Sequence, residues 1–542
     1  MSVTPTQSGN TATSPGAFAP FSNPNFTVLW FATVLSNVGT WMHDVGAGWL
    51  MTSLASSPLL VALVQTATTL PIFLFALPAG ALADIIDKRK LLLAVQAVLA
   101  VTALLLSYIV IKGNITPWLL LAFTFVMGIG AALTAPAWQA IVPGLVPRPL
   151  LQQAVAANSV GINISRAIGP ALGGIIIGFS VALPFLVNSL SFLLVIVALL
   201  WWKPPKAPAR LLPTEDLLGA MRAGVRYALH SRPLMATLIR ALGFFLFASA
   251  YWALLPLIAR HLLHGNATLY GMMMGAVGLG AVSGAFMLPY LKARLGADKL
   301  VAAGTAGTAL CMLVLAGGAG HALAVAICFL AGASWIAVLT SLNVSAQVAL
   351  PEWVRARGLA IFVTVFFGAM SAGSIIWGQV SALFGIDTAL YIAAGGALLA
   401  IPLTWRARLQ LGAAMDLAPS MHWPEPVVEQ EVEQDQGPVM VTIEYLIDPA
   451  RSGEFYVAAQ ELRRQRRRDG AYAWGLFEDT ARPGRYLEYF LVQSWLEHLR
   501  QHHRVTRADE DLQSAMLAFH LGPDKPRVDH FVAPRGGAGV HK

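Results

Sequence analysis

Apolar blocks about twenty residues long recur from Phe26 to Trp405, separated by polar turns too short to be domains. A helix rises about 1.5 Å per residue, so each block can cross the hydrocarbon core of a bilayer. They fall near residues 26–51, 58–82, 91–111, 118–142, 154–179 and 182–202, and then near 234–259, 268–291, 300–318, 322–348, 359–383 and 388–405. Composition agrees, with 56% hydrophobic and 12% charged residues and a mean hydropathy of +0.63. A soluble chain carries about twice that charged share. In lipid the backbone must satisfy its own hydrogen bonds, so the expected fold is an all-α membrane protein of twelve transmembrane helices. The net charge of +8 then says little about nucleic acid, and no such partner is expected.

The tightest link, residues 80–90, holds Gly80, Asp84, Asp87, Lys88, Arg89 and Lys90 between two apolar blocks, and must turn the chain on one membrane face. Loops on its side hold fifteen Lys and Arg residues, whereas the opposite loops hold only Lys112 and Arg260. The positive-inside rule makes the first set cytoplasmic, and twelve spans bring both termini to that side. The expected home is the cytoplasmic (inner) membrane. The two halves also match: one offset of 204 residues carries Pro147 onto Pro351, Gly169 onto Gly373 and Gly174 onto Gly378. In the second half Ala293 and Gly296 stand where Asp84 and Asp87 stand in the first. Paired six-span halves describe a rocking carrier whose site lies between them.

The 80–90 loop resembles the motif after span 2 of the major facilitator superfamily. Gly169-Pro170-Ala171-Leu172-Gly173-Gly174 resembles that superfamily's antiporter motif, and Asn37–Asp44 with Gly48–Met51 looks like the branch containing the enterobactin exporters. The resemblance implies the major facilitator fold and an exporter of small amphipathic molecules, siderophore-like or drug-like, coupled to protons. It also implies a cytoplasmic latch of Gly80, Asp84, Asp87 and Arg89, with Asp84 accepting hydrogen bonds from a helix of the other half. Two features depart from the pattern: Asp87 replaces the usual Gly, and span 4 lacks the Arg of many drug–proton antiporters.

Asp44 is the one carboxylate clearly inside a span, about 18 residues and so roughly 27 Å from Phe26. A charge there either faces a cavity, where it would take up a proton as cargo leaves, or snorkels to the outer interface beside His43. Arg166, one turn before Gly169-Pro170, is placed to bind an anionic or catecholate cargo or to pair with Asp44; its alternative is snorkelling. Asn37, Gln65, Asn158, Asn163 and Asn188 are polar groups in apolar spans, divided between lining a cavity and bonding across helices. Asn37, Gln65 and Asn163 join Asp44 and Arg166 as the candidate coupling and cargo-binding set. Gly169, Pro170, Gly173 and Gly174 form an expected gating helix, since Pro removes a helix hydrogen bond and Gly admits a close neighbour.

Beyond Trp405 the character changes. The expected organisation is a disordered tail at 1–25, helical bundles at 26–202 and 233–405 around a connector at 203–232, a linker at 406–437, an α+β unit at 438–534 and a disordered end at 535–542. Within the unit, strands at 439–447, 472–478, 485–493 and 527–532 and helices at 450–468, from Ser494, and at 508–519 read as β-α-β-β-α-β. This resembles the ferredoxin-like modules of the antibiotic-biosynthesis-monooxygenase type, with Ser494, Trp495, His498 and His502 matching its helix region. Such modules commonly dimerise, so a homodimer through this unit is one expectation. His498, His502 and His503 are expected on a solvated helix face rather than at a metal. The Arg463–Arg468 run is expected either to touch anionic headgroups or to end an exposed helix. Cys311 and Cys328 read as buried thiols. No Gly-x-x-x-x-Gly-Lys-Ser/Thr loop occurs, and no cofactor is expected. A transporter fused to an oxygenase acting on the cargo is the alternative reading, beside a non-catalytic sensing or dimerising module.

Overall fold

The computed structural model describes residue 16, residues 18–203, 217–409 and 432–534, and positions 416, 417, 420, 423 and 428. Residues 1–15, 17 and 535–542 of the two terminal tails, the start of the connector and most of the 406–437 linker lie outside the described residues, as do the side chains of Asp84 and His503.

Helices α1 (Pro24–Leu54), α2 (Pro58–Ile85), α3 (Lys88–Ile111), α4 (Pro117–Ile141), α5 (Leu151–Ile177) and α6 (Leu183–Trp201) form the first set. A short amphipathic helix, α7 (Leu217–His230), precedes α8 (Arg232–Leu257), α9 (Ala267–Ala316), α10 (His321–Val348), α11 (Arg355–Phe384) and α12 (Ile386–Thr404). Proline stands in the first two positions of α1, α2, α4, α6 and α8, where its missing N–H leaves no helix bond unmade. Among the described residues, ten helices are long and apolar enough to cross a membrane. Helix α1, which carries Asn37, His43 and Asp44, is not one of the ten. Helix α9 runs for 50 residues but is broken at Gly296, whose φ of 70° and ψ of 172° suit a residue without a β-carbon. That break falls inside the polar link expected at 291–300.

The two sets meet along two related seams. Helix α5 lies on α9, and α11 lies on α2 in the corresponding way. Small residues make the approach possible. A Cβ at Gly174 would stand 2.7 Å from the Gly271 Cα, and one at Gly378 would stand 2.6 Å from the Ala62 Cβ. Thr69 and Ser371 share a hydroxyl hydrogen bond of 2.7 Å across the second seam. The close approaches at Gly378 and Gly174 sit toward the start of α2 and the end of α5, away from the 80–90 loop.

The C-terminal unit is an α+β fold. Strands β1 (Val439–Leu446), β2 (Ala473–Glu478), β3 (Arg485–Val492) and β4 (Arg527–Val532) form one antiparallel sheet in the order β2-β3-β1-β4. Helices α13 (Ser452–Asp469), α14 (Trp495–Arg504) and α15 (Arg507–Leu517) accompany it. Ser494 caps α14 by accepting from the Glu497 N–H, and Thr506 with Asp509 forms a capping box on α15. Phe455, Leu462, Phe490 and Met516 fill the space under the sheet.

Two expectations for this unit fail. The Arg463–Arg468 run is not one solvated end: Arg466 is buried against Glu488 at 3.1 Å, and Arg468 lies between Asp469 at 2.8 Å and Asp509 at 2.6 Å. Nor is the histidine face solvated, because His498 is 1% exposed, with its ring centroid 4.8 Å from His530 and 5.4 Å from Trp495. Burial, then the neighbouring His530 and His502, push His498 down to about 3. Most of this burial comes from within the unit: Glu488 and Asp509 take up Arg466 and Arg468, and Trp495 and His530 cover His498. The unit is also docked on the helices through α7. Arg226 of α7 reaches Glu497 at 3.1 Å, Arg504 reaches the same carboxylate at 2.6 Å, and the Arg504 guanidinium lies 4.7 Å from the Trp353 ring. Tyr227 donates to the Ala349 carbonyl and receives Arg468 over its ring at 5.6 Å. Burial raises the Glu497 carboxyl, but hydrogen bonds and charge from Arg504 and Arg226 outweigh it and hold the group below its ordinary value.

Candidate functional site

Residues three, four and seven apart share one helix face. On α1 this puts Asn37, Trp41, Asp44 and Gly48 on one stripe, and the stripe faces open space. A cavity of about 410 Å³ within the first set is lined by Asn37, Trp41, Asp44, Thr68, Gln96 and Asn158 among others. A second, of about 310 Å³, lies between the sets and is lined by Trp41, Asp44, Gln65, Arg166, Tyr270 and Trp335 among others. Trp41, Asp44 and Thr68 border both. Asp44 thus stands at the wall where the two cavities meet. His43, one residue back, points the other way, its ring 4.8 Å from Phe185 of α6.

The cavity between the sets is aromatic on one side and charged on the other. Trp252 and Trp335 pack at 5.2 Å, with Phe366 a further 6.1 Å from Trp335. Opposite them, Arg166 sets its guanidinium 5.6 Å from the Trp41 ring and keeps its Nε buried without a hydrogen-bond partner. Among the described residues Arg166 forms no ion pair with Asp44. One free cation, one carboxylate and flat apolar walls suit a small molecule with ring faces and an anionic or hydroxylated edge.

The other sequence candidates scatter. Asn163 is half-buried, donates to the Ser159 carbonyl one turn back and lines neither cavity. Asn188 is fully buried and accepts from Thr40 and Ser191, tying α6 to α1. Gly169 and Gly173 abut α1, where a Cβ would meet Trp41 Cβ at 2.6 Å and Met42 Cα at 3.0 Å respectively. Gly174 abuts α9, and the Pro170 carbonyl lies 2.9 Å from where a Gly271 Cβ would be. Helix α5 is therefore wedged between α1 of its own set and α9 of the other.

At the 80–90 loop, nothing lies within 4 Å of a Cβ built on Gly80. Asp87 caps its own helix by accepting from the Lys90 N–H at 3.0 Å. Arg89 donates to the carbonyls of Leu199 and Leu200, both at 2.7 Å, closing the end of α6 in the same set. On the opposite face Arg260 crosses between the sets, donating to Thr52 at 2.9 Å and lying 5.5 Å from the Trp49 ring. The aromatic walls and the Arg260 clamp escaped sequence reasoning. An aromatic inside an apolar run looks like any lipid-facing residue, though a lone cation on the cation-poor face was a signal for Arg260.

A family model described as transmembrane secretion effector matches residues 15–536, running on through the C-terminal unit. The staphyloferrin A transporter of Staphylococcus aureus is 26% identical over 268 residues, 48% of this chain and 65% of that protein, so the match spans just under two thirds of its length. The enterobactin exporter EntS of Citrobacter koseri is 26% identical over 290 residues, 53% of this chain and 68% of the other. Among solved structures, the nucleoside transporter NupG superposes with a TM-score of 0.59 at 13% identity, over 71% of this chain and 98% of NupG. At that identity the likeness speaks for the fold alone.

Proposed function

The chain belongs to the transmembrane secretion effector family of the major facilitator superfamily, and from that premise we propose that it exports small amphipathic molecules, siderophore-like or drug-like, in exchange for protons. Counting α1 and both segments of α9 with the other apolar helices gives twelve spans, with both termini on the cytoplasmic side of the inner membrane. The observation that carries the reading is Asp44 at the junction of two cavities. A carboxylate there titrates against the cavity within the first set and presents its charge, or loses it, to cargo between the sets. Arg166 and the aromatic walls hold the cargo. The open space at Gly80, the self-capping Asp87 and the bonds of Arg89 to the end of α6 support reading this state as one with the latch released. In the opposite state Asp84 engages the second set.

We assign the C-terminal unit a non-catalytic role: its interior is filled by the Arg466–Glu488 pair, with Tyr445 and Trp474 donating to the same carboxylate. The uncovered sheet face with Phe477, Leu487 and Phe531 is where two copies pair. The test is reconstitution into proteoliposomes with an imposed pH gradient and labelled siderophores or dyes. Gradient-driven movement is expected, and Asp44→Asn lowers it at least about ten-fold while cargo binding persists. Movement that ignores the gradient in the unaltered protein overturns proton exchange.

A further inference from the structure

The joint between the helices and the C-terminal unit contains a groove that none of the transport steps uses. It has a volume of about 570 Å³ and is bounded by the end of α7, the start of α8, the residues after α12 and one turn of α13. Four arginines surround it: Arg232, Arg406, Arg408 and Arg464. Their only nearby carboxylate partner among the described residues is Glu461, shared by Arg232 at 2.9 Å and Arg464 at 3.0 Å. Arg406 and Arg408 are exposed and form no ion pair among the described residues. Asp298, the other carboxylate near this end of α12, is already held by Arg240 at 3.0 Å and by the Leu409 N–H. The groove therefore carries an excess of three positive charges.

Its floor is apolar. Met235 and Ile239 of α8 line it, Ile239 being 44% exposed, and the surface continues along the exposed Leu242 and Leu403. Trp405, placed like an interfacial anchor, marks the level at which the apolar surface gives way to the arginines. A cationic rim directly above a lipid-facing hydrocarbon strip matches one ligand chemistry: a phosphate ester bearing acyl chains.

We propose that this groove binds an anionic phospholipid of the leaflet on this face, its phosphate held by Arg406 and Arg408 and its acyl chains laid on Met235 and Ile239. A diphosphatidyl lipid fits best, because its second phosphate reaches the Arg232–Arg464 side. Bound there, the lipid ties the C-terminal unit to the helices and the membrane at once.

The test uses delipidated full-length protein in detergent, with lipid retention read by native mass spectrometry. Cardiolipin, phosphatidylglycerol, phosphatidylethanolamine and inorganic phosphate are the probes. Cardiolipin and phosphatidylglycerol are expected to be retained over phosphatidylethanolamine, and inorganic phosphate to neither bind nor compete at equal concentration. Each arginine beside anionic headgroups is worth roughly five-fold, so Arg406→Gln with Arg408→Gln should weaken cardiolipin by about 25-fold. The Lys pair at these positions should retain most of the binding, and removing the cations Lys292 and Arg294, which do not line the groove, should change nothing. Equal retention of phosphatidylethanolamine, an unchanged affinity in the Gln pair, an equal loss on removing Lys292 and Arg294, or inorganic phosphate matching the lipid would each overturn the proposal.

Discussion

Asp44 and Gly174 act through the neighbours that the fold brings to them. Asp44 is one residue of α1, but Thr68 of α2 and Tyr270 of α9 complete its surroundings, with the Tyr270 hydroxyl 3.0 Å from where a Gly48 Cβ would stand. Gly174 is decided by Gly271 in the same way. Replacing Gly174 by Ala adds up to about 1 kcal/mol of helix propensity. The new Cβ, however, would sit 2.7 Å from a backbone Cα and 2.8 Å from the Ala267 carbonyl oxygen, and backbone cannot swing aside as a side chain can. Overpacking of this kind costs about 1–3 kcal/mol, so Gly174→Ala is expected to lower the thermal midpoint and cut transport. An unchanged midpoint and rate would show that α5 and α9 separate more readily than this seam implies.

Among the elements, α7 matters out of proportion to its 14 residues. It fell within the expected polar connector, yet its Arg226 and Tyr227 join the C-terminal unit to α10 and Trp353. Glu497→Ala would leave the half-buried Arg226 and the buried Arg504 without their carboxylate. Breaking such a pair costs about 3–5 kcal/mol, so the variant's C-terminal unit should become protease-sensitive while the membrane helices stay intact. Acid should loosen the same unit. His498 is held at about 3 in the fold against about 6.5 unfolded, so the unfolded state takes up its proton first as pH falls. Stability present above pH 6.5 is then lost toward pH 3, at up to about 1.4 kcal/mol per unit. The depressed Glu497 adds to the loss below its ordinary range. Circular dichroism melts of the full chain should follow this slope, and His498→Phe should flatten it.

At the scale of the whole molecule, the proposed alternating access requires the two seams to break and re-form. Thr69 and Ser371 place their hydroxyls 2.7 Å apart across one seam, close enough for a disulfide between cysteines at those positions. The native Cys311 and Cys328 are buried and will not compete. Oxidised T69C/S371C protein should lose transport and regain it on reduction. Full activity of the cross-linked form would mean that these seams stay closed throughout the cycle.

The apolar periodicity alone determined where the membrane helices run, since lipid leaves the backbone no other arrangement, and observed helix ends fall within about four residues of the apolar blocks, except where α9 runs on past 291 to its break at Gly296. The alternation of strands and caps likewise located every strand of the C-terminal unit, because turns and caps are local chemistry. The tertiary structure decided which polar residues meet. Asn163 and Asn37 look alike in sequence, but one bonds its own helix while the other lines a cavity. His498 and the Arg463–Arg468 run looked solvated because burial by other strands and helices of the same unit leaves no trace in the residues that become buried. Partnership across the fold depends on what packs opposite, and that is set by contacts between segments tens to hundreds of residues apart.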